Sequence, residues 1–305
     1  MPAERTGPWT IRELMRSAID HFQRSGFDEA RLNVELLLAY ALDLPRIHLY
    51  LHFDKPLSPE EVARFRSLYE RRLKHEPVQY IIGAAGFMGL QFAVDRRVLI
   101  PRPETETLIE EVIVLSRKYP QDQPLDILEI GTGSGNVAVS IAKFVKSARI
   151  VTVEKSREAM EVAAENIRRH AVEEAVRLVH GDIFERVPEM FGKKFDIVVS
   201  NPPYIPAEEM NGLQEEVREF EPSCALTDGF DGLRFFQFAS ETGKSILKPG
   251  GSLAVEIGFG QADRVRQILQ DQAWTDVRAV NDLLGIPRVM TGTRPAEPQN
   301  NLNLN

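Results

Sequence analysis

The hydrophobic rhythm of this chain changes near residue 76. Before that point apolar residues recur at helical spacing. Ile11, Leu14, Met15, Ala18, Ile19 and Phe22 in "TIRELMRSAIDHFQRSG" share one helix face, with Thr10 placed to cap its start and Gly26 just past its end. "DEARLNVELLLAYAL" reads as a second, strongly apolar helix. "SPEEVARFRSLYERRLKHEP" opens with Ser58, Pro59 and two glutamates, a good helix start, and stops before Pro77. Residues 1–76 are therefore expected to form a small all-α bundle. Periodicity alone leaves open whether it is a stability cap or a holder for a partner.

From Val78 to about Ile100 glycines alternate with β-formers, which predicts a hairpin across 77–100 joining two domains. Beyond it come apolar runs that read as strands: "LDILEI" (125–130), "RIVTVE" (149–154), "VRLVHGD" (176–182), "FDIVVSN" (195–201), "GGSLAVEIG" (250–258), "DVRAVND" (276–282) and "PRVMTGT" (287–293). Helical stretches such as "SREAMEVAAENIRRH" separate most of them, as in a parallel sheet covered on both faces. The last two leave no room for a helix between them and predict a closing antiparallel hairpin. The expected class is α/β: a Rossmann-like, seven-stranded, mostly parallel sheet over 101–294, preceded by the all-α bundle. The polar tail from 295 to 305 is expected to be disordered.

Composition narrows the function classes. The 305 residues are 43% hydrophobic and 27% charged, ordinary for a soluble globular protein. No apolar signal core opens the chain and no run approaches a membrane span, so a cytoplasmic protein is the default expectation. A single cysteine, Cys224, excludes an internal disulfide, and with no base signature beside it reads as filler rather than a nucleophile. The six histidines show no paired spacing with Cys or carboxylates, so no metal is expected. The net charge is −8, yet residues 1–75 hold 12 basic and 11 acidic side chains, so the acidity lies in the remainder. That argues against a surface that tracks phosphates.

"LDILEIGTGSGNVAVSIAK" is a strand, a glycine turn and a helix in succession. Glycines 131, 133 and 135 let the backbone pass close to a ligand beside the start of the helix. Their G-x-G-x-G spacing differs from the G-x-G-x-x-G of dinucleotide sites and argues against a pyrophosphate. The second strand ends in Glu154, 23 positions beyond the first glycine, where a carboxylate can accept from both hydroxyls of a ribose. The third ends in Asp182, followed by apolar Ile183 and Phe184, a combination suited to adenine. Each acid alone could be a surface carboxylate, and the glycines alone a tight turn. Together, at successive strand ends, they point to a nucleoside site.

The fourth strand runs into "SNPPYIP". Two prolines fix two φ angles, remove two backbone donors and hold Asn201 out of the helical region. A rigid strand stop would need no more than that. Beside a nucleoside site the motif reads as a mould. If the nucleoside is S-adenosylmethionine, the Asn201 side-chain oxygen and the Pro202 carbonyl can both accept from a planar NH2. They would aim its lone pair along the S–CH3 axis and stabilise the positive charge moving onto nitrogen. Pro203 keeps the turn rigid, and Tyr204 offers a flat wall for a planar amide or base. Adenine amines and glutamine side chains both present such a group. Residues 208–231 carry eight carboxylates and one basic residue, Arg218, directly after the motif. That segment disfavours a phosphate backbone and favours a protein glutamine.

"EPVQYIIG", "GLQFAVDRRVLIPRPETE", "EIGTGSG", "SNPPYIP", "EFEPSCAL" with "DGFDGL", and "EIGFGQ" resemble, in order, the glutamine N5-methyltransferases of peptide chain release factors, the HemK/PrmC family. The resemblance spans about residues 76–294. It implies methyl transfer from S-adenosylmethionine, with S-adenosylhomocysteine as product, to the glutamine of the Gly-Gly-Gln loop of class 1 release factors, a step that serves translation termination. By matching position, Glu129, Gly131, Thr132, Gly133, Ser134, Gly135, Glu154, Asp182, Ile183 and Asn201 would contact the cofactor. Asn201, Pro202, Pro203 and Tyr204 would hold the glutamine, with Asn201, Pro202 and Tyr204 catalytic. Arg102, Glu104 and Thr105 would wall the methionine end, and the helical domain would dock the release factor. Glu129 and Glu154 stand where the family more often has aspartate, and "DLLGIPRV" varies a glycine-arginine pattern. Rival readings are a glutamine N5-methyltransferase of a ribosomal protein, an adenine-N6 methyltransferase on nucleic acid, and a module that binds the cofactor without catalysis. No nucleic acid, membrane or metal partner is expected.

Overall fold

In a computed structural model of the chain, residues 7–185 and 192–296 are described. The chain divides into two compact units: residues through Ala84 with Gln214–Phe220, and Ala85–Leu213 with Glu221 onward. The tail expected to be disordered lies, from residue 297, outside the described residues.

The first unit is helical: α1 (Ile11–Arg24), α2 (Ala30–Leu42), α3 (Arg46–Leu51), α4 (Pro59–Arg72) and α5 (Val78–Ile82), joined by α9 (Glu215–Phe220) from later in the chain. α1 and α4 begin with reciprocal caps, Thr10 with Glu13 and Ser58 with Glu61, each satisfying two backbone N–H groups otherwise left open at a helix start. Leu37, Leu38, Leu49 and Phe65 fill the core, with Phe22 stacked on Tyr69 at 4.5 Å between centroids. Arg72 is buried but fully engaged. It donates to Asn33 Oδ1 at 2.6 Å, lies 4.6 Å over the Phe27 ring and pairs with Glu216 of α9. A buried cation is tolerable only with such compensation.

The hairpin expected from residue 77 begins later. Residues 78–82 form α5, because Pro77 starts a helical turn and Gly83 ends it at φ 72°. The two-stranded β1 (Ala84–Phe87) and β2 (Leu90–Ala93) follow, joined by Met88 and Gly89, both at positive φ.

The second unit carries the large sheet. Its elements are α6 (Glu106–Ser116), β3 (Leu125–Ile130), α7 (Asn136–Phe144), β4 (Ala148–Glu154), α8 (Arg157–Arg169), β5 (Val176–His180), β6 (Phe195–Ser200), α10 (Arg234–Ile246), β7 (Leu247–Glu256), α11 (Ala262–Asp271), β8 (Thr275–Asn281) and β9 (Pro287–Thr293). The strand order is β5-β4-β3-β6-β7-β9-β8, parallel except where β9 pairs antiparallel with β7 and β8. This is the expected Rossmann-like sheet with its closing hairpin. Every residue of β6 is buried, as a strand covered on both faces requires.

The order reverses between β3 and β6, so the crevice above their carboxyl ends is where open α/β sheets take ligands. Register then sets the site. Ile130 pairs with Val153 on one side and Ser200 on the other, and Ser200 pairs with Val255. One residue further, Glu154, Gly131, Asn201 and Glu256 stand in a row across four neighbouring strand ends. No helix among the described residues is long and apolar enough to cross a membrane.

Candidate functional site

Above that row lies a cavity of about 370 Å³, within the range of small-molecule sites. Of the residues singled out in the sequence, Gly131, Thr132, Gly133, Ser134, Glu154, Asp182, Ile183, Asn201, Pro202 and Pro203 line it, as do Arg102 and Thr105. Glu129, Gly135, Glu104 and Tyr204 do not.

Gly131, Gly133 and Gly135 all have φ between 54° and 83°, a left-handed backbone that glycine adopts without strain. Gly131 N–H donates to Val153 O at 2.9 Å, which ties the loop to β4. Gly135 answers a packing need: it starts α7, and a Cβ there would press on Ala163 of α8 at 3.4 Å.

Glu154 accepts from Gly133 N at 2.9 Å through Oε2 and from Ser156 N at 2.8 Å through Oε1. Each oxygen keeps a lone pair for a diol. Asp182 accepts from Phe184 N at 3.0 Å and pairs with Lys155 at 2.7 Å. Burial works against its charge, but Lys155 and that N–H outweigh it and hold the carboxyl below its usual range. Ile183 is 6% exposed, and Phe184 lies under the Arg234 guanidinium at 4.7 Å. An acceptor beside an apolar wall, and a carboxylate whose oxygens keep lone pairs open, would suit the two ends of an adenosine. Glu154→Ala removes the diol acceptor and releases two loop N–H groups, so S-adenosylmethionine affinity should fall at least about tenfold by calorimetry, from the loss of a charged hydrogen bond.

Glu129 sits behind the loop at 1% exposure. It accepts from Thr152 Oγ1, which in turn meets Thr132 Oγ1 at 2.6 Å, while Glu129 Oε1 has no partner. Burial, aided by the Glu154 charge, pushes its carboxyl up to about 8. Between the ordinary carboxylate value and about 8 the folded protein holds a proton that the unfolded chain releases. The stabilisation is complete at the acid end of that window and is lost as pH rises through about 8. Urea midpoints between pH 5 and 9 should therefore decline more steeply in the wild type than in Glu129→Gln.

Asn201 Nδ2 donates to Thr105 Oγ1 at 3.0 Å. With the nitrogen end held, the amide oxygen is the end left for a ligand. Buried Pro202 follows with its backbone fixed. Tyr204 does not face the cavity as the expected flat wall. Its hydroxyl donates to Glu256 Oε1 at 3.1 Å, its ring packs on the sheet core, and burial with the adjoining carboxyl keeps the phenol firmly protonated.

The loop is gripped from outside by residues that the sequence showed without giving them roles. Gln261 Nε2 donates to Tyr204 O at 2.9 Å, and Gly258 N donates to Gln261 Oε1 at 2.9 Å. Gly232, at φ 74°, passes so close that a Cβ would meet Tyr204 O at 2.1 Å. Buried Glu221 holds Arg102 and accepts from Ile100 N at 3.2 Å. "EIGFGQ", "DGFDGL" and "EFEPSCAL" are thus the three supports of the site. A charged residue ending the apolar run "GGSLAVE" was the visible signal for Glu256. Cys224 stands exposed on the cavity wall, its thiol pushed up by partial desolvation there and by the Glu154 charge. Among the described residues no group of three or more His, Cys, Asp or Glu gathers into a metal site.

Two family descriptions match the chain: the PrmC N-terminal domain over residues 13–83 and the methyltransferase small domain over 112–217. The release factor glutamine methyltransferase of Geobacter sulfurreducens is 43% identical over 289 residues, covering 95% of this chain and 98% of that protein. The protein of the same name from Chlorobaculum tepidum is 41% identical, over 92% and 96%. Among solved structures the hMettl16 catalytic domain shares the fold, with a TM-score of 0.52 at 14% identity over 76% of this chain and 81% of that one. The chain belongs to the release factor glutamine methyltransferase family.

Proposed function

We propose that this protein transfers a methyl group from S-adenosylmethionine to the side-chain amide nitrogen (N5) of the glutamine in the Gly-Gly-Gln loop of class 1 peptide chain release factors. The observation that carries this reading is the seating of Asn201. Thr105 takes its amide nitrogen, which leaves its amide oxygen for a ligand, and both Asn201 and Pro202 line the cavity.

The residues present fit the cofactor. Glu154 would hold the ribose, Asp182 and Ile183 the adenine, and the turn from Gly131 to Ser134 the part between adenosine and methionine. When bound, S-adenosylmethionine supplies a methyl group on a positively charged sulfur. The chain's own task is to make a poor nucleophile attack. An amide nitrogen delocalises its lone pair into the carbonyl and gains positive charge only as that conjugation is lost. Two acceptors, Asn201 Oδ1 and Pro202 O, bind its two hydrogens, fix its orientation and stabilise the charge as it develops. No prior deprotonation is required, since the nitrogen becomes acidic as its conjugation is lost and can then release a proton to water. Pro203 holds the turn. Tyr204 serves by keeping the loop seated through Glu256 rather than by stacking on the substrate.

The helical unit is assigned the docking of the release factor body. A substrate of that kind places the reaction in the cytoplasm. Mass spectrometry of a purified class 1 release factor after incubation with this protein and S-adenosylmethionine tests the reading. One added methyl on the Gly-Gly-Gln glutamine is expected. No gain, with cofactor binding intact by calorimetry, would overturn the substrate and direct the same assay to ribosomal proteins.

A further inference from the structure

The first residue of α10 breaks a local rule. A helix N-terminus carries partial positive charge and favours an acid in its first turn, yet α10 opens with Arg234 and has no acid there. The turn ahead of it shows how the arginine is placed. Asp228 accepts from Phe230 N at 2.8 Å and Gly232 N at 3.1 Å through Oδ1, and from Arg234 N at 3.0 Å through Oδ2. "DGFDGLR" is thereby folded into a bend whose last residue lines the cavity.

The acids around Arg234 are engaged elsewhere. Asp182 pairs with Lys155 and Asp231 with Arg264, while Asp228 is taken up by the backbone of the bend. The exposed guanidinium rests on rings instead, its central carbon 4.7 Å over Phe184 and 5.9 Å over Phe230. Phe184 packs in turn on Phe238, with centroids 4.8 Å apart. Arg234 and Phe184 line the cavity together with Asp182 and Ile183, and Phe230 does not. A guanidinium is flat and weakly hydrated, so it stacks on aromatic faces and on bases as an ammonium cannot. A cation set against the helix dipole, without a carboxylate partner, beside the residues suited to adenine, is therefore a flat surface offered to a flat ring.

We propose that Arg234 supplies the face on which the adenine of S-adenosylmethionine stacks, with Phe184 backing the guanidinium and Asp182 accepting from the exocyclic amine at the ring's edge. The inference rests on the cofactor seating proposed above. It adds a binding residue from α10, outside the glycine loop and the strand-end acids, and makes Phe184 a support for the arginine.

The test uses the full chain and calorimetry with three ligands: S-adenosylmethionine, S-adenosylhomocysteine and adenosine. In Arg234→Ala the Kd should rise about tenfold for all three, as for loss of a stacking partner of a base. The three share the adenine and differ in charge at the sulfur end, so an equal loss locates the effect at the ring. A cation acting only through its field would repel the sulfonium, and its removal would tighten S-adenosylmethionine alone. Arg234→Lys keeps the charge without the plane and should stay closer to Arg234→Ala than to wild type. Phe184→Ala should weaken binding in the wild type and add little to Arg234→Ala, because it acts through the guanidinium. Urea midpoints check folding: with a cation removed from a helix start, Arg234→Ala should unfold at or above the wild-type midpoint. Wild-type affinity in Arg234→Ala, or a change confined to S-adenosylmethionine, would overturn the inference. A wild type that binds none of the three would instead overturn the cofactor seating, so the two failures are distinguishable.

Discussion

Replacing Asn201 with alanine is expected to lower methyl transfer at least about a hundredfold, the loss found when one preorganised partner of a developing charge is removed. In the proposed mechanism the side-chain oxygen is one of two acceptors, and its nitrogen end is bound to Thr105 rather than to the glycine loop. S-adenosylmethionine affinity should therefore stay nearly unchanged by calorimetry, because Glu154, Asp182 and Ile183 remain in place. The separation is diagnostic. A variant that loses both would mean that Asn201 mainly holds the cofactor, and a variant that keeps transfer would overturn the mechanism. Truncation leaves Thr105 Oγ1 without its donor, a cost of about 1–3 kcal/mol that lowers stability without mimicking the kinetic effect.

Gly232→Ala is expected to have the second largest effect, although residue 232 touches neither ligand in the proposed reaction. Its φ of 74° disfavours any side chain, and the new Cβ would fall 2.1 Å from Tyr204 O. Backbone on both sides of that contact cannot yield as a flexible side chain would. Strain of this kind costs about 1–3 kcal/mol, to which displacement of a packed loop adds a similar amount. The loop that must move runs from Asn201 to Tyr204, so kcat should fall about a hundredfold, as it does when a reacting group is misplaced by an ångström. Urea denaturation read beside initial rates checks both halves. A stability loss with unaltered kcat would show that the segment around Gly232 braces the fold without aiming the motif.

Much of the architecture was legible because its causes are local. The glycine loop, the strands beside it and the acids at their ends follow from period, glycine spacing and the alternation of helix and strand. β3 and β9 run over 125–130 and 287–293, as their apolar runs indicate. The β-rich "VQYII" of α5 predicts a strand. Pro77 and Gly83 at its two ends, with burial of Val78, Tyr80 and Ile81, outweigh that preference. The place of Glu129 in the motif predicts a cofactor contact, and the structure turns it inward to the threonines behind the loop. The ring of Tyr204 alone predicts a wall for the substrate. Its hydroxyl found a buried carboxyl, and the polar end of a tyrosine governs its placement when such a partner is within reach.

The sequence by itself determined that the chain is a helical bundle followed by a parallel-sheet domain. It also determined that a nucleoside loop and an Asn-Pro-Pro-Tyr turn lie at strand ends of that sheet. Tertiary structure alone decided what surrounds them. Thr105 lies 96 residues from Asn201, and Tyr204 lies 52 residues from Glu256. Gly232 and Gln261 close on the loop from two further segments. The physical reason is one of range. Caps, turns and periodicity act over a few residues and leave a mark in the order of the amino acids. The direction of a hydrogen bond between two buried side chains depends on strand register and on what fills the space between them, and those arise only when the whole sheet has closed.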